Sequence, residues 1–104
     1  MRVFTDYQGL PVRLTDERRD HILRHPEMVG LDEDIEHALA APDRVVESVS
    51  DSDSRLYYRH LAQTMVGSKY LCVVVKVRPG DTFVITGFLT DKVKRGRVLW
   101  PTAV

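Results

Sequence analysis

Several residue types that would point to a compartment or a chemistry are scarce in this chain of 104 residues. It has one cysteine, Cys72, so no internal disulfide can form, and its apolar neighbours predict a buried side chain rather than a nucleophile. No apolar run approaches the ~20 residues that span a bilayer. The first ten residues also lack the apolar core of a signal peptide. We therefore expect a cytoplasmic protein with no membrane partner.

The chain also lacks a net charge, because 15 basic residues balance 15 acidic ones. Proteins that coat nucleic acid generally carry a basic excess, so this balance argues mildly against such a role. The distribution is uneven, however. Residues 27–54 contain nine acidic residues against Arg44 alone, whereas residues 69–97 contain seven basic residues and two acidic ones. The basic segment could meet phosphate, or the two segments could be differently solvated faces of one domain.

A chain of this length supports one domain with one core, which we expect to cover residues 1–104. Two short helices are predicted in its first half. Thr15 is the expected N-cap of the first helix, and Pro26 ends it because the residue before a proline avoids the helical conformation. The second helix should run over residues 32–41, with Ile35 and Leu39 on its buried side.

After residue 42 the hydrophobic period changes to that of strands. Strands are predicted at 45–49, 55–61, 70–78 and 83–89, and shorter extended pieces at 3–4 and 12–14. Short turns favour an antiparallel meander, because parallel neighbours need a crossover of a dozen or more residues. We therefore expect an α+β fold in which two short N-terminal helices pack on one face of a four-stranded antiparallel sheet. The predicted common core consists of Ile35, Leu39, Leu56, Val73, Val75 and Ile85.

Polar residues interrupt the second predicted strand at every other position. Alternation places Arg55, Tyr57 and Arg59 on one face of the sheet, and we expect that face to be opposite the helices. Tyr58 would then lie in the core. Tyr57 would be free to stack on a nucleic-acid base.

Lys76 stands among valines, where a lysine needs an anion or water to meet its ammonium group. If residues 79–81 form a three-residue turn, Lys76 pairs with Val84. Thr86 and Thr90 then fall on the same face as Lys76. Threonine is also a good strand former, and a charged residue on an open sheet face is often only solvated, so these positions have a purely structural explanation as well.

His21 and His25 lie four residues apart on the first predicted helix, so both rings should occupy one helix face within about 6 Å. They could end the helix beside its free carbonyl groups. They could ligate zinc, but Ile22 stands where the H-E-x-x-H pattern has glutamate and no third ligand is evident, so we expect no metal and no cofactor. Their third possible role is general acid or base chemistry, because histidine titrates near neutral pH. His37 and His60 look like surface or packing residues.

Five short motifs follow one another along the chain: HILRHPE at 21–27, YYR at 57–59, YLCVVVKV at 70–77, FVIT at 83–86 and TDKVK at 90–94. In order and spacing they resemble the phage-associated branch of the barnase, EndoU, colicin and RelE-like (BECR) nuclease superfamily over residues 14–100. The resemblance implies helices followed by a four-stranded antiparallel sheet. It also implies a toxin-like, metal-independent ribonuclease in which the 2′-hydroxyl of RNA attacks the adjacent phosphate, with an antitoxin or immunity protein as partner.

The same resemblance assigns roles to residues of this chain. It makes His21 or His25 the general acid or base, and it makes Arg59 and Lys76 the cations that hold the phosphate and stabilise its growing charge. Thr86 joins this implied catalytic group. The implied substrate-binding residues are Arg55, Tyr57, Thr90 and Lys92.

A protein of another class would use the same residues differently. A non-catalytic module could hold RNA or a partner protein on the same basic sheet face. The two hypotheses differ in one structural condition, since catalysis requires a histidine, Lys76 and Arg59 to lie within reach of one phosphate.

Overall fold

A computed structural model describes residues 1–102. In that part of the chain the helices are α1 (Asp16–Leu23) and α2 (Asp32–Ala40), with a short 3₁₀ turn at Pro26–Met28 between them. The strands are β1 (Arg2–Thr5), β2 (Pro11–Leu14), β3 (Arg44–Glu47), β4 (Ser54–Leu61), β5 (Lys69–Lys76), β6 (Phe83–Thr90) and β7 (Val98–Trp100). Neither α-helix in residues 1–102 has the length and apolar character needed to cross a bilayer.

Helix α1 begins where the sequence predicts, because Thr15 caps it. The Thr15 hydroxyl accepts a hydrogen bond from the backbone N–H of Arg18 at 3.2 Å, which satisfies one of the free donors of the first turn. The helix ends at Leu23, and Pro26 opens the 3₁₀ turn that follows. Helix α2 also begins at the predicted residue, and its buried side chains are Ile35, Ala38 and Leu39.

The strands of residues 1–102 form one mixed, curled sheet in the order β1-β2-β6-β5-β4-β3-β7. Neighbouring strands are antiparallel except β2 and β6, which are parallel at the pair Arg13 and Phe83. The fold is α+β, but the predicted sheet of four antiparallel strands is wrong. The extended pieces near the N-terminus form the hairpin β1–β2, which adds to β6, and β7 adds to β3. These pairings join segments distant in sequence, which hairpin spacing does not detect.

The sheet buries apolar side chains on both faces. On the helix face, Ile22, Ile35 and Leu39 of the helices belong to one large cluster with strand residues such as Val73 and Val75. The opposite face, called here the second face, carries a smaller buried cluster of Val46, Leu56, Tyr58 and Cys72. The expectation of one common core is therefore wrong for Leu56, which lies on the second face, and for Ile85, which is only half-buried.

The faces of β4 are the reverse of those predicted. Tyr57 is fully buried in the cluster under the helices, and Tyr58 belongs to the cluster on the second face. Arg55 and Arg59 alternate with Tyr58 and therefore point to the helix side. Alternation correctly groups these residues, but it does not say which group the helices cover. Tyr57 is consequently not available to stack on a base.

Strands β5 and β6 pair through a bulge. Thr86 pairs with Val74, but Val84 pairs with Val75, so Ile85 is the extra residue on β6. Lys76 therefore lies opposite Phe83 rather than the predicted Val84. By alternation Lys76, Thr86 and Thr90 still share the second face, as the sequence predicts.

A buried carboxylate joins the hairpin β1–β2 to the middle of the sheet. One oxygen of Asp6 accepts hydrogen bonds from the backbone N–H groups of Gln8 and Leu10, each at 2.9 Å. The other oxygen accepts a hydrogen bond from the Tyr57 hydroxyl at 2.7 Å. Burial and the neighbouring Asp6 carboxylate raise the pKa of Tyr57, so this hydroxyl remains a donor.

We expect Tyr57→Phe to lower the free energy of unfolding by about 1–3 kcal/mol, because it leaves a buried Asp6 oxygen without its donor. The neighbouring substitution Tyr58→Phe is the control. It removes a hydroxyl that accepts a hydrogen bond from the backbone of Lys94 at 3.1 Å, and it should cost less, about 1 kcal/mol or under. Denaturant unfolding of both variants measures the two losses in the free energy of unfolding. Equal losses would show that the hydrogen bond from Tyr57 to Asp6 stabilises the fold no more than the one at Tyr58.

Candidate binding groove on the second face

The connection from β6 to β7 crosses the second face. In the sheet order, β5, β4 and β3 separate these two strands, so residues 91–97, called here the crossing segment, must pass over them. The backbone N–H of Lys94 donates to the Tyr58 hydroxyl at 3.1 Å. Near the end of the segment, a Cβ atom on Gly96 would lie 2.5 Å from the carbonyl oxygen of Glu47 and 2.6 Å from Val46. Only glycine allows so close an approach, so the segment lies directly on the sheet.

An open groove of about 500 Å³ lies beside the crossing segment. Its apolar floor is formed by Leu56, Val74 and Phe88 of three adjacent strands. Two cations of the crossing segment, Lys94 and Arg95, form one side. The other side is the loop between β3 and β4, whose contributions are Ser48, Val49, Ser50 and Asp51, followed by Ser54 at the start of β4.

Lys76 and Asp51 form an ion pair at the edge of this groove. The Lys76 ammonium donates a hydrogen bond to one oxygen of Asp51, and the side chains are 17% and 39% exposed. The Ser54 hydroxyl donates to the same oxygen at 2.9 Å, and the backbone N–H of Asp53 donates to the other oxygen at 3.0 Å. Asp51 is thus the anion that a lysine among valines requires.

These donors change the acidity of Asp51. The hydrogen bond from Lys76 lowers the pKa of the Asp51 carboxyl most, and the bonds from the Asp53 backbone and the Ser54 hydroxyl lower it further, to about 2. Each donor favours the charged carboxylate over the neutral acid. Asp51 is therefore ionised at neutral pH and is a poor proton acceptor.

The crossing segment carries most of the unpaired positive charge near the groove. Arg97 is paired with Glu47 at 2.7 Å. Among residues 1–102, Lys92, Lys94 and Arg95 take part in no ion pair, and all three are exposed. Their charges are available to an anionic ligand.

The histidines expected to act as acid or base are on the other side of the sheet. His21 and His25 are exposed on and just after α1, with ring centroids 6.3 Å apart, in agreement with the predicted spacing. Helix α1 packs on the helix face, where Ile22 lies beside Gly87 of β6. Lys76 is on the second face, so the histidines and Lys76 are separated by the sheet.

The remaining predicted site residues are divided between the two faces. Arg59 is on the helix side, where its guanidinium donates to the carbonyl oxygen of Ala41 at 2.6 Å, and Arg55 is on the same side. Thr86 is half-buried on the second face, beside Val74 of the groove. The Thr90 hydroxyl is engaged with the backbone of Lys92, at 3.3 and 3.4 Å, at the end of β6. Among the predicted site residues, Lys76 and Thr86 therefore lie next to groove residues, Lys76 through its ion pair with Asp51 and Thr86 through its pairing with Val74.

One histidine, His60, does lie on the second face. It is six residues along β4 from Ser54, which pairs with Lys76, so about 20 Å of strand separates it from the lysine. Its ring is also hydrogen-bonded to the Ser68 hydroxyl at 2.8 Å. No histidine among residues 1–102 is thus positioned to share one phosphate with Lys76.

Several groove residues were not singled out from the sequence. The sequence pattern predicts only a turn at Asp51 and Ser54, and only a strand at Phe88. The basic run containing Lys94 and Arg95 was a usable signal, because three cations in four positions are unusual in a short connection. Their position over the sheet depends on the pairing of β7 with β3.

Comparisons with protein-family models, with curated proteins and with solved structures found no match. The resemblance to BECR nucleases stays a prediction from the short motifs. Within residues 1–102 no group of three or more His, Cys, Asp or Glu side chains is arranged to hold a metal ion.

We expect the contribution of Asp51 to stability to depend on pH. Because folding lowers its pKa to about 2, the ion pair stabilises the folded protein above pH ~4, and this stabilisation is lost as the pH falls through about 2. Asp51→Asn should therefore have a lower Tm than the wild type at pH 6, and the difference should shrink between pH ~4 and ~2. Asp53→Asn is the matched control from the same loop. A difference that stays constant over this range would contradict the assigned ion pair.

Proposed function

We propose that the protein is a binding module for single-stranded RNA, and that the RNA lies in the groove on the second face. The observation that carries this proposal is the position of Lys94 and Arg95. These cations have no ion-pair partner among residues 1–102 and lie beside an apolar floor containing Phe88.

The groove offers the types of group that single-stranded RNA binds. Cations attract the phosphates, and a partly exposed aromatic ring such as Phe88 can stack on a base whatever its sequence. The hydroxyls of Ser48 and Ser50 at the rim can hydrogen-bond to base edges or to the 2′-hydroxyl. Sheet surfaces with this combination of aromatic and basic side chains are a common way to hold unpaired nucleotides.

Metal-independent cleavage of RNA remains a prediction of the sequence, and the geometry favours binding over it. Cleavage by 2′-hydroxyl attack needs a proton acceptor and a proton donor close to the bound phosphate. Lys76 lies at the edge of the groove as a cation, but His21 and His25 lie across the sheet and Asp51 is too weak a base. An antitoxin or immunity protein is likewise implied only by the resemblance to toxin-like nucleases.

We expect the double variant Lys94→Gln/Arg95→Gln to bind single-stranded RNA roughly 10-fold more weakly than the wild type at about 0.1 M salt. If each cation contacts one phosphate, the slope of log K against log salt should also become shallower by about 1.4, since each contact to a single strand contributes about 0.7. Fluorescence anisotropy with a labelled oligonucleotide over a salt series measures both quantities.

Arg18→Gln is the control for this experiment. Arg18 is equally exposed, but it lies on α1 and therefore on the helix side. We expect its removal to leave the affinity nearly unchanged. An equal loss in the control and in the double variant would show that binding follows overall charge rather than the groove.

We also expect bound RNA to be recovered intact after incubation in EDTA, because Asp51 beside Lys76 is a poor proton acceptor and no histidine among residues 1–102 lies near this pair. Gel electrophoresis of the labelled oligonucleotide checks this outcome. Cleavage in EDTA that His21→Asn or His25→Asn abolishes would instead support the ribonuclease hypothesis. It would also place the reaction on the helix side of the sheet.

A further inference from the structure

The Asp51 carboxylate occupies a position that is built to hold an anion. Three kinds of donor converge on it: the ammonium of Lys76, the hydroxyl of Ser54 and the backbone N–H of Asp53. A cation, a hydroxyl and a main-chain amide around one tetrahedral or trigonal anion are also the groups that proteins use to bind phosphate. Asp51 and Ser54 both line the groove, so this cluster is continuous with the proposed RNA path.

Asp51 can leave this position without unfolding the loop that carries it. The loop backbone is held by hydrogen bonds from the N–H of Ser48 to the carbonyl of Ser54 and from the N–H of Ser54 to the carbonyl of Asp51, each at 2.9 Å. The Asp51 side chain is 39% exposed at the rim, and the neighbouring Val49 is 82% exposed. Rotation about the Cα–Cβ bond of Asp51 therefore moves its carboxylate into solvent while the main chain stays in place.

Two of the three donors, in contrast, belong to the sheet. Lys76 and Ser54 are paired residues of β5 and β4, and the Lys76 side chain is only 17% exposed. Its half-buried ammonium needs an anionic or polar partner whenever Asp51 is absent. An exposed carboxylate that can rotate away from donors anchored on paired strands is the arrangement expected of an internal ligand that an external one can replace.

We propose that Lys76, Ser54 and the backbone amide of Asp53 form a phosphate subsite, which Asp51 occupies in the free protein and which a phosphodiester group of RNA takes over on binding. As a statement about RNA, this inference rests on the proposed function. Asp51 then acts as an intramolecular competitor. The apparent affinity is reduced by the fraction of molecules in which Asp51 still fills the site.

The test compares two substitutions that remove the same charge from the same loop. Asp51→Asn weakens the competitor, whereas Asp53→Asn leaves it in place, because Asp53 contributes only its backbone N–H. If about one molecule in ten has an open subsite, Asp51→Asn should tighten binding of single-stranded RNA up to roughly 10-fold. Asp53→Asn should change it less than about 2-fold, as expected for one exposed charge. Adding Lys76→Met should abolish the gain from Asp51→Asn.

Asp51→Ser is a second variant with the same expected gain, in case the asparagine variant folds poorly, and circular dichroism identifies folded proteins. If the Asp51 variants bind RNA no more tightly than Asp53→Asn, the subsite is refuted while the groove proposal stands. A gain that persists with Lys76→Met would also refute it, since the gain would then reflect net charge alone.

Inorganic phosphate separates this inference from the RNA proposal. Titration of Asp51→Asn with phosphate should shift the backbone amide NMR signals of Asp53 and Ser54, and the wild type should respond at higher phosphate concentration. If no variant binds RNA but these signals still shift, the proposed function fails and the anion subsite stands. If phosphate shifts neither signal in a folded variant, the subsite is refuted whatever RNA does.

Discussion

The structure depends on the need to cover both faces of the central strands. Strands β4, β5 and β6 carry large apolar side chains on alternate positions, and neither set can remain in water without a cost. The helices cover one face, where the side chains buried with them include Tyr57 and Val73. The other face carries Tyr58 and Cys72, and the crossing segment covers part of it, including Tyr58. The chain therefore has to return over its own sheet after β6.

This covering also determines where the charges lie. The crossing segment is the basic part of the chain, so covering the second face places Lys94 and Arg95 above strands β4 to β6. The close contact at Gly96 keeps the segment against the sheet, and β7 anchors its far end by pairing with β3. A molecule with no net charge thus acquires a locally basic groove. The acidic residues of α2 remain on the helix side.

A separate constraint holds the helix side together. The buried Asp6 carboxylate receives donors from its own hairpin and from Tyr57 of β4, and it thereby links the edge of the curled sheet to its centre. Because this carboxylate and the Tyr57 ring are used for folding, β4 presents no exposed tyrosine on the helix side. The groups left for binding on the second face lie on the floor and at the rim of the groove. They include Lys76, which is already held by Asp51.

Much of the local structure follows from residues close together in the sequence. Capping residues, turn residues and the hydrophobic period each act over a few residues. They account for the Thr15 cap, the start of α2 and the positions of β3 to β6. The grouping of Lys76 with Thr86 and Thr90 also follows from alternation. The bulge at Ile85 shifts the β6 partner of Lys76 from Val84 to Phe83. Lys76 stays on the second face, because the extra residue is on β6 and leaves the alternation along β5 unchanged.

Capping and periodicity, which are local properties, predict both helices, strands β3 to β6 and the sets of residues that share a face. The face that the helices cover depends on long-range packing, and the observed packing reverses the expected positions of Tyr57 and Tyr58. The same packing also decides that β1, β2 and β7 join the sheet and that His21 and Lys76 lie on opposite sides of it. These outcomes depend on contacts between distant segments. The free energy of these contacts comes from packing the whole chain, so it cannot be predicted from any short stretch of sequence.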